Sequence, residues 1–302
     1  MSSVVLSIIT RNGALKGDVF RLMLLSTLQI PYKAIILIDD SDNDKTLNVV
    51  KSFANENNKE LLASRSNTHG GRATRAIGRQ TAFDLFLRNF IEGMLIQLDD
   101  DVILMNGWWS AVTDSLSDER IGLYYGLTYD VNDLNSLSTS NVNIQAVLIN
   151  ALERGRTNDF AIRRDALSAI EGRFGAIPPE LHLYEDAWIW RAIQCAGYGI
   201  VIGLIGAFQH DPVKLSGLGD INVDIKYLKL ASRYGIVQSV NPLNDSLRLL
   251  APLLRLPSMV AKYGLTRGVK ETWFRILYRY AKIKGTLTFN CSKLNSRGLK
   301  IP

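Results

Sequence analysis

Three successive carboxylates, Asp99-Asp100-Asp101, are the residues of this chain with the clearest chemical potential. They follow Met94-Leu95-Ile96-Gln97-Leu98, a mostly apolar run that reads as a buried strand, and such strand ends are where open α/β sheets place their ligand crevice. Mg²⁺ or Mn²⁺ would suit them, since these ions take hard oxygen ligands, usually one or two carboxylates together with substrate phosphates. A solvated acidic loop ahead of a helix near Asn106 is the plainer explanation of one such run. It does not explain why a second strand, Lys33 to Ile38, also ends in paired acids, Asp39-Asp40. A third pair, Glu185-Asp186, opens an apolar helix closed by Gly197, where acids also suit the helix dipole. His210 follows an apolar strand over 198–208 and is either a further metal ligand or a structural histidine.

The elements that must position these groups alternate in type. Val4 to Ile9 reads as a buried strand ending at Arg11-Asn12-Gly13, and a helix over 18–28 leads to the strand at 33–38. Strand, helix, strand in about thirty residues is a βαβ unit, which requires a parallel sheet. A helix over 46–55 and a short strand over 61–63 precede a polar loop, Ser66 to Arg75, with Gly70-Gly71, Arg72 and Arg75 at the start of a helix running to Asn89. Glycines, arginines and a helix N-terminus together favour a bound anion. A strand over 121–129 and a polar loop over 130–140, with the composition of a lid or acceptor-facing loop, come next. Residues 158–164, a helix over 165–170 and a loop over 175–183 lead to Glu185-Asp186.

With 302 residues, 47% hydrophobic and 21% charged, the chain has the composition of an ordinary globular protein. Its two cysteines, Cys195 and Cys291, lie far apart without metal-ligand spacing, so neither a disulfide nor a zinc site is expected and Cys195 reads as a packed helix residue. No basic-then-apolar leader and no uncharged apolar run of membrane-spanning length are found, which predicts a cytoplasmic protein. Charge is divided unevenly: residues 243–302 hold 12 Lys and Arg against 2 Asp and Glu, and the rest 23 against 27. Within this basic end, Val269, Trp273, Ile276, Tyr280 and Ile283 recur in steps of four and three, with Arg275, Arg279 and Lys282 on the other side. That is a basic amphipathic helix, suited to the protein body, another subunit or an anionic bilayer.

Taken in order, residues 4–211 resemble a GT-A glycosyltransferase, most like the large inverting group called family 2. Val4 to Asn12 is similar to that family's first strand and loop, and Asp39-Asp40-Ser41-Asp42-Asn43-Asp44-Lys45-Thr46 to its nucleoside segment. Gly71 to Gly78, with Arg75, resembles its Ala-Arg-Asn-x-Gly segment, although Ala76 replaces the Asn. Asp99 and Asp101 match the DxD motif, Phe160 to Phe174 looks like the acceptor-side segment, Tyr184-Glu185-Asp186 matches the Glu-Asp motif, and His210 falls where many such enzymes have a metal-binding histidine. The Gln-x-x-Arg-Trp motif of processive synthases is absent, which favours a single transfer.

The resemblance implies a Rossmann-like, mostly parallel sheet flanked by helices: a catalytic domain over 1–215, with a nucleotide-sugar half to about 102 and an acceptor half beyond it, and a helical basic extension over 216–302. It implies Asp186 as general base with Glu185 supporting it. Donor binding falls to Thr10, Arg11, Asn12, Asp39, Asp40, Arg72, Arg75, Asp99 and Asp100, and a Mn²⁺ or Mg²⁺ ion to Asp101, Asp99 and His210. The expected partners are a UDP- or GDP-sugar, a lipid-linked or glycan acceptor and, through residues 243–285, an anionic inner membrane face; no nucleic acid is expected. Two other readings fit parts of the chain. A sugar-phosphate nucleotidyltransferase also uses such a sheet with acidic metal ligands, but Arg11-Asn12-Gly13 is a poor phosphate loop. A non-catalytic basic protein would leave the ordered acids unexplained.

Overall fold

Seven consecutive buried residues form β1 (Val4–Thr10), as expected of a strand covered on both faces. It lies between β2 (Ala34–Asp39) and β4 (Met94–Asp99), both parallel to it, with β3 (Glu60–Ser64) outside β2. The computed structural model describes residues 3–131, 133–134, 137–139, 142–155, 158–210 and 220–295. Among these, α1 (Asp18–Ser26), α2 (Lys45–Glu56) and α3 (Arg75–Asn89) connect the first strands in the predicted βαβ manner.

Beyond β4 the sheet becomes mixed. The order is β3-β2-β1-β4-β7-β6-β8-β5, with β5 (Val102–Leu104), β6 (Ile121–Asp130), β7 (Asp159–Arg163) and β8 (Gly199–Gln209). β7 runs antiparallel to both β4 and β6, and β5 antiparallel to β8, while β6 and β8 pair in parallel, so the sheet is mostly parallel, as expected, with antiparallel pairings confined to its second half. Only Asp100 and Asp101 separate β4 from β5, yet β5 pairs with β8 at the far end of the strand order; the sheet curls, and the acidic pair spans that curl. Helices α4 (Trp108–Leu116), α5 (Ile144–Arg154), α6 (Arg164–Phe174) and α7 (Glu185–Cys195) cover this half. The α5 helix was not anticipated from sequence. The predicted lid over 130–140 falls partly, and the expected domain boundary at 215 wholly, outside the described residues.

The C-terminal segment shares the core with the body. In α8 (Ile221–Tyr234) Leu228, Ala231 and Tyr234 are buried, and so are Ile236, Val237, Ala281 and Leu294 farther on. Short helices α9 (Pro242–Leu247) and α10 (Leu256–Tyr263) lead to the long α11 (Leu265–Thr288). The α11 helix seats by its small residues: a Cβ at Gly285 would lie 2.0 Å from the Val237 carbonyl oxygen. Lys282, on the side of α11 opposite the apolar stripe, is buried, 2.6 Å from Glu153 and 2.8 Å from Asp245.

The expectation for the cysteines is overturned. Cys195, at the end of α7, is bonded to Cys291, their Cα atoms 5.6 Å apart across 96 residues of sequence. Tertiary packing makes the pair: Trp188 Nε1 donates to the Leu294 carbonyl at 3.3 Å and Leu294 is fully buried, which draws the C-terminal turn onto α7. No helix among the described residues is long and apolar enough to cross a membrane.

Candidate active site

Parallel register carries the acids to one edge. Thr10 pairs with Asp39, and Ile9 with Asp99, so the ends of β1, β2 and β4 coincide. A cavity of about 630 Å³ opens there. Its wall includes Thr10, Arg11, Asp40, Arg72, Arg75 and all three acids of the triplet. Among the other predicted residues, Asn12, Asp39, Glu185, Asp186 and His210 do not line it.

The triplet is anchored one acid at a time. Asp99 accepts from Arg79 Nη2 at 3.0 Å, and burial raises its pKa to about 6 even though Arg79 and Arg75 favour the charged form. Asp100 accepts from Thr10 Oγ1 at 2.6 Å and from Lys16 Nζ at 2.5 Å; burial, opposed by Lys16, nevertheless raises its pKa. Asp101 accepts from Lys16 at 3.1 Å and from Gln209 Nε2 at 3.1 Å, while Gln209 is held by Asn158 at 2.9 Å. Lys16 ends the 3-10 turn Gly13–Lys16, which sits tightly on β1: a Cβ at Gly13 would lie 2.5 Å from Thr10 Oγ1. Burial works against the lysine's charge, but Asp100 and Asp101 outweigh it and raise its pKa.

His210 follows β8 beside Asp101, its N–H 3.4 Å from the Asp101 carbonyl oxygen. Its Nδ1 lies 3.0 Å from the Val131 carbonyl oxygen and must donate to it, which leaves Nε2 with the free lone pair in the neutral ring. That is the tautomer in which histidines ligate metals. The described residues contain no group of three or more His, Cys, Asp or Glu side chains that could hold a metal alone. A hard cation held by Asp101 and His210 would have to draw its remaining ligands from substrate oxygens and water.

Glu185 and Asp186 begin α7 and are both buried. Arg79, itself 1% exposed, joins Glu185 to Asp99, with its Nε 3.3 Å from Glu185 Oε1. Burial, reinforced by Glu185, pushes Asp186 up to about 7. Arg75 lines the cavity; burial opposes its charge, but Asp99, Glu185, Asp101 and Asp186 together raise its pKa.

On the β2 side Asp40 is held by Ser66, N at 3.0 Å and Oγ at 2.5 Å. Asp39 accepts from the Ser41 N–H at 3.0 Å and faces a separate pocket of about 200 Å³ with Asn43, Asp44, Ser64 and Arg65. Asn12, in the left-handed region at φ 61°, donates its N–H to Ser41 Oγ at 2.7 Å, and Arg11 makes an exposed pair with Asp42 at 3.7 Å.

Sequence reasoning missed Lys16, Arg79, His182 and the α8 residues Lys226 and Tyr227, which also border the site. Arg79 lies one helical turn beyond Arg75, a spacing that could have pointed to it. His182 Nδ1 accepts from the Arg75 N–H at 3.1 Å, which places its proton on Nε2, and burial, aided by Arg75 and Arg72, lowers its pKa.

No protein-family profile matches the chain, and no curated protein sequence matches it. Solved structures do. S. aureus TarS, residues 1–349, is 13% identical, with 93% of this chain and 90% of that one covered at a TM-score of 0.51. GalNAc-T7, crystallised with UDP, GalNAc and Mn²⁺, is 15% identical, with 70% of this chain and 44% of that one covered at a TM-score of 0.50. The fold is the GT-A fold.

Proposed function

We propose that the protein is a metal-dependent inverting glycosyltransferase that makes a single transfer from a UDP- or GDP-sugar to a hydroxyl or phosphate of a lipid-linked or glycan acceptor. One observation carries the reading: Thr10, Asp40, Arg72, Arg75 and the acidic triplet, drawn from four separate stretches of sequence, surround one cavity at the ends of parallel strands. GalNAc-T7, which has this fold, was crystallised with UDP, GalNAc and Mn²⁺, and that agrees with the reading.

In this mechanism Asp39 and its pocket receive the base, while Asp40 and Asp99 lie toward the ribose. Arg75, and Arg72 farther out, meet the diphosphate, whose negative charge must be balanced as it leaves. Asp101 and His210 would hold Mn²⁺ or Mg²⁺, which when bound supplies Lewis-acid neutralisation of the leaving diphosphate. Asp186 takes the proton from the acceptor hydroxyl as that oxygen bonds to the anomeric carbon and the carbon–oxygen bond to the diphosphate breaks. Its raised pKa gives it a base strength matched to neutral pH, and Glu185, through Arg79, fixes its surroundings.

Residues 243–285 support a peripheral position on an anionic membrane surface. There Leu243, Leu247, Leu250 and Leu254 are exposed among arginines and lysines, and Trp273 of α11 is half exposed. A thermal-shift screen of UDP-, GDP- and dTDP-sugars with Mn²⁺ should pick out one donor, since a ligand of the native state raises the apparent stability. Transfer or hydrolysis of that donor should release nucleoside diphosphate and stop with chelator. Release of pyrophosphate would instead favour a nucleotidyltransferase, and activity indifferent to chelator would reject the metal.

A further inference from the structure

Lys16 touches the acid that the proposed function gives to the metal. Its Nζ lies 3.1 Å from Asp101 Oδ2 and 2.5 Å from Asp100 Oδ1, and Thr10 Oγ1 holds the other Asp100 oxygen at 2.6 Å. Asp100, to which the mechanism above gives no step, is thus the anchor that keeps the ammonium against Asp101. The second Asp101 oxygen accepts from Gln209. A divalent ion approaching Asp101 therefore meets a like charge already in contact with the same carboxylate, in a partly buried site where water screens it weakly.

Two features allow the lysine to leave. Its side chain is 35% exposed, and it lines the cavity that the diphosphate would enter. A diphosphate brings the negative charge that an ammonium and a divalent ion can share, so what excludes the ion without the nucleotide becomes compatible with it afterwards.

We propose that Lys16 is a positioning residue that makes metal binding depend on the nucleotide: it occupies Asp101 through its tether to Asp100, and turns to the diphosphate when the donor arrives. This rests on the reading of the cavity as a nucleotide–metal site. By linkage, the metal must strengthen nucleotide binding by the same factor as the nucleotide strengthens metal binding.

The test is titration of the full chain with Mn²⁺, with free ion followed by electron paramagnetic resonance, in the presence and absence of UDP. The wild type should bind Mn²⁺ at least about tenfold more tightly with UDP than without it. Lys16→Met should tighten Mn²⁺ binding without UDP by about tenfold or more and shrink the effect of UDP, whereas Lys16→Arg should behave as the wild type. Adding Asp101→Ala to Lys16→Met should remove the gained binding. Unchanged nucleotide-free Mn²⁺ affinity in Lys16→Met, or a gain that survives loss of Asp101, overturns the proposal. Lys16→Gln gives the same readout if the methionine variant proves unstable. A wild type that binds neither UDP nor GDP under any condition rejects the functional reading instead, and the nucleotide-free comparison still decides whether Lys16 guards Asp101.

Discussion

At the ends of β1 and β4 each acid of the triplet is held by at least one neighbouring donor: Arg79 for Asp99, Thr10 and Lys16 for Asp100, Lys16 and Gln209 for Asp101. The surface formed by α9 to α11 is the opposite in charge and in manner. Leu247 is 80% exposed and Leu254 86%, and Trp273 and Tyr280 of α11 also face outward, while the helix packs through Gly268, Thr272, Ala281 and Gly285. Charges held rigidly in a low-dielectric wall are preorganised for a charged ligand. Apolar side chains left among cations are suited to a surface that removes them from water. The contrast is therefore between a wall suited to a charged ligand and a face suited to an apolar or anionic surface, a distinction that net charge alone cannot make.

The largest effects should come from breaking the chemical side. Asp186→Asn, which keeps the shape of the side chain, should lower kcat by about 10² to 10⁴ in a transfer assay with melting temperature retained. Asp101→Ala should cost about a thousandfold, as expected when several kcal/mol of charge stabilisation is lost. A pKa near 7 for Asp186 also sets the sign of the pH dependence: the base is protonated and idle in acid, so the rate rises through neutral pH. Stability runs the other way. The folded protein binds this proton more tightly than the unfolded chain, so the contribution is fully present below the usual Asp range and is lost as pH rises through about 7. A flat acid limb in the rate profile would remove Asp186 from the role.

Buried pairing is the feature that the two regions share at one point each, and it allows a direct comparison. Arg79→Met would strand Asp99 and Glu185 in the interior, with an expected loss of about 3–5 kcal/mol in denaturant unfolding. Lys282→Met would strand Glu153 and Asp245 similarly, with a smaller loss because Asp245 keeps Ser239 Oγ as a donor at 2.6 Å. The exposed Arg275→Met should change stability by no more than about 0.5 kcal/mol. Equal costs at Lys282 and Arg275 would contradict the distinction between the buried and the outward faces of α11.

Much of this was legible as residue order, because a parallel sheet turns sequence order into spatial convergence. The strands near residues 4, 34, 60, 94, 121 and 199 follow from apolar runs, and the convergence of Asp40 with Asp99 to Asp101 from the acids that end two of them. Partners were not legible. Nothing local distinguishes Lys16 from a surface lysine or Arg79 from any helical arginine, because their roles arise from contacts across 84 residues in one case and 106 in the other. The α11 stripe misled for a related reason: its period was read correctly, but glycines and a buried lysine allowed the other face to pack inward. The cysteine pair escaped notice because a separation of 96 residues carries no spacing signal.

That disulfide ties the chemical half to the tail, since it joins the end of α7 to the turn after α11. Its removal, by Cys195→Ser with Cys291→Ser, should lower stability by about 2–4 kcal/mol in unfolding experiments. Activity measured well below the melting temperature should change far less than in Asp186→Asn, because the proposed base lies at the opposite end of α7. A loss of activity as large as that of Asp186→Asn would mean that the tail positions the base as well as covering the core.

The smallest expected effect tests the attachment side alone. Deleting residues 243–302 would not do so, because Ala281, Lys282 and Leu294 are part of the packed interior and the truncated chain would be damaged for unrelated reasons. Leu247→Glu, Leu254→Glu and Trp273→Ser change only outward side chains, so the melting temperature should hold. Partition onto anionic vesicles should fall by about tenfold, since each apolar side chain contributes through the surface it withdraws from water. Raising salt should weaken wild-type binding as well, because the surrounding arginines and lysines act through a screened potential. Vesicle binding that is unchanged in the triple variant would leave the tail with its structural role only. In that case the acidic edge and the basic surface would differ in chemistry without serving one reaction at a membrane.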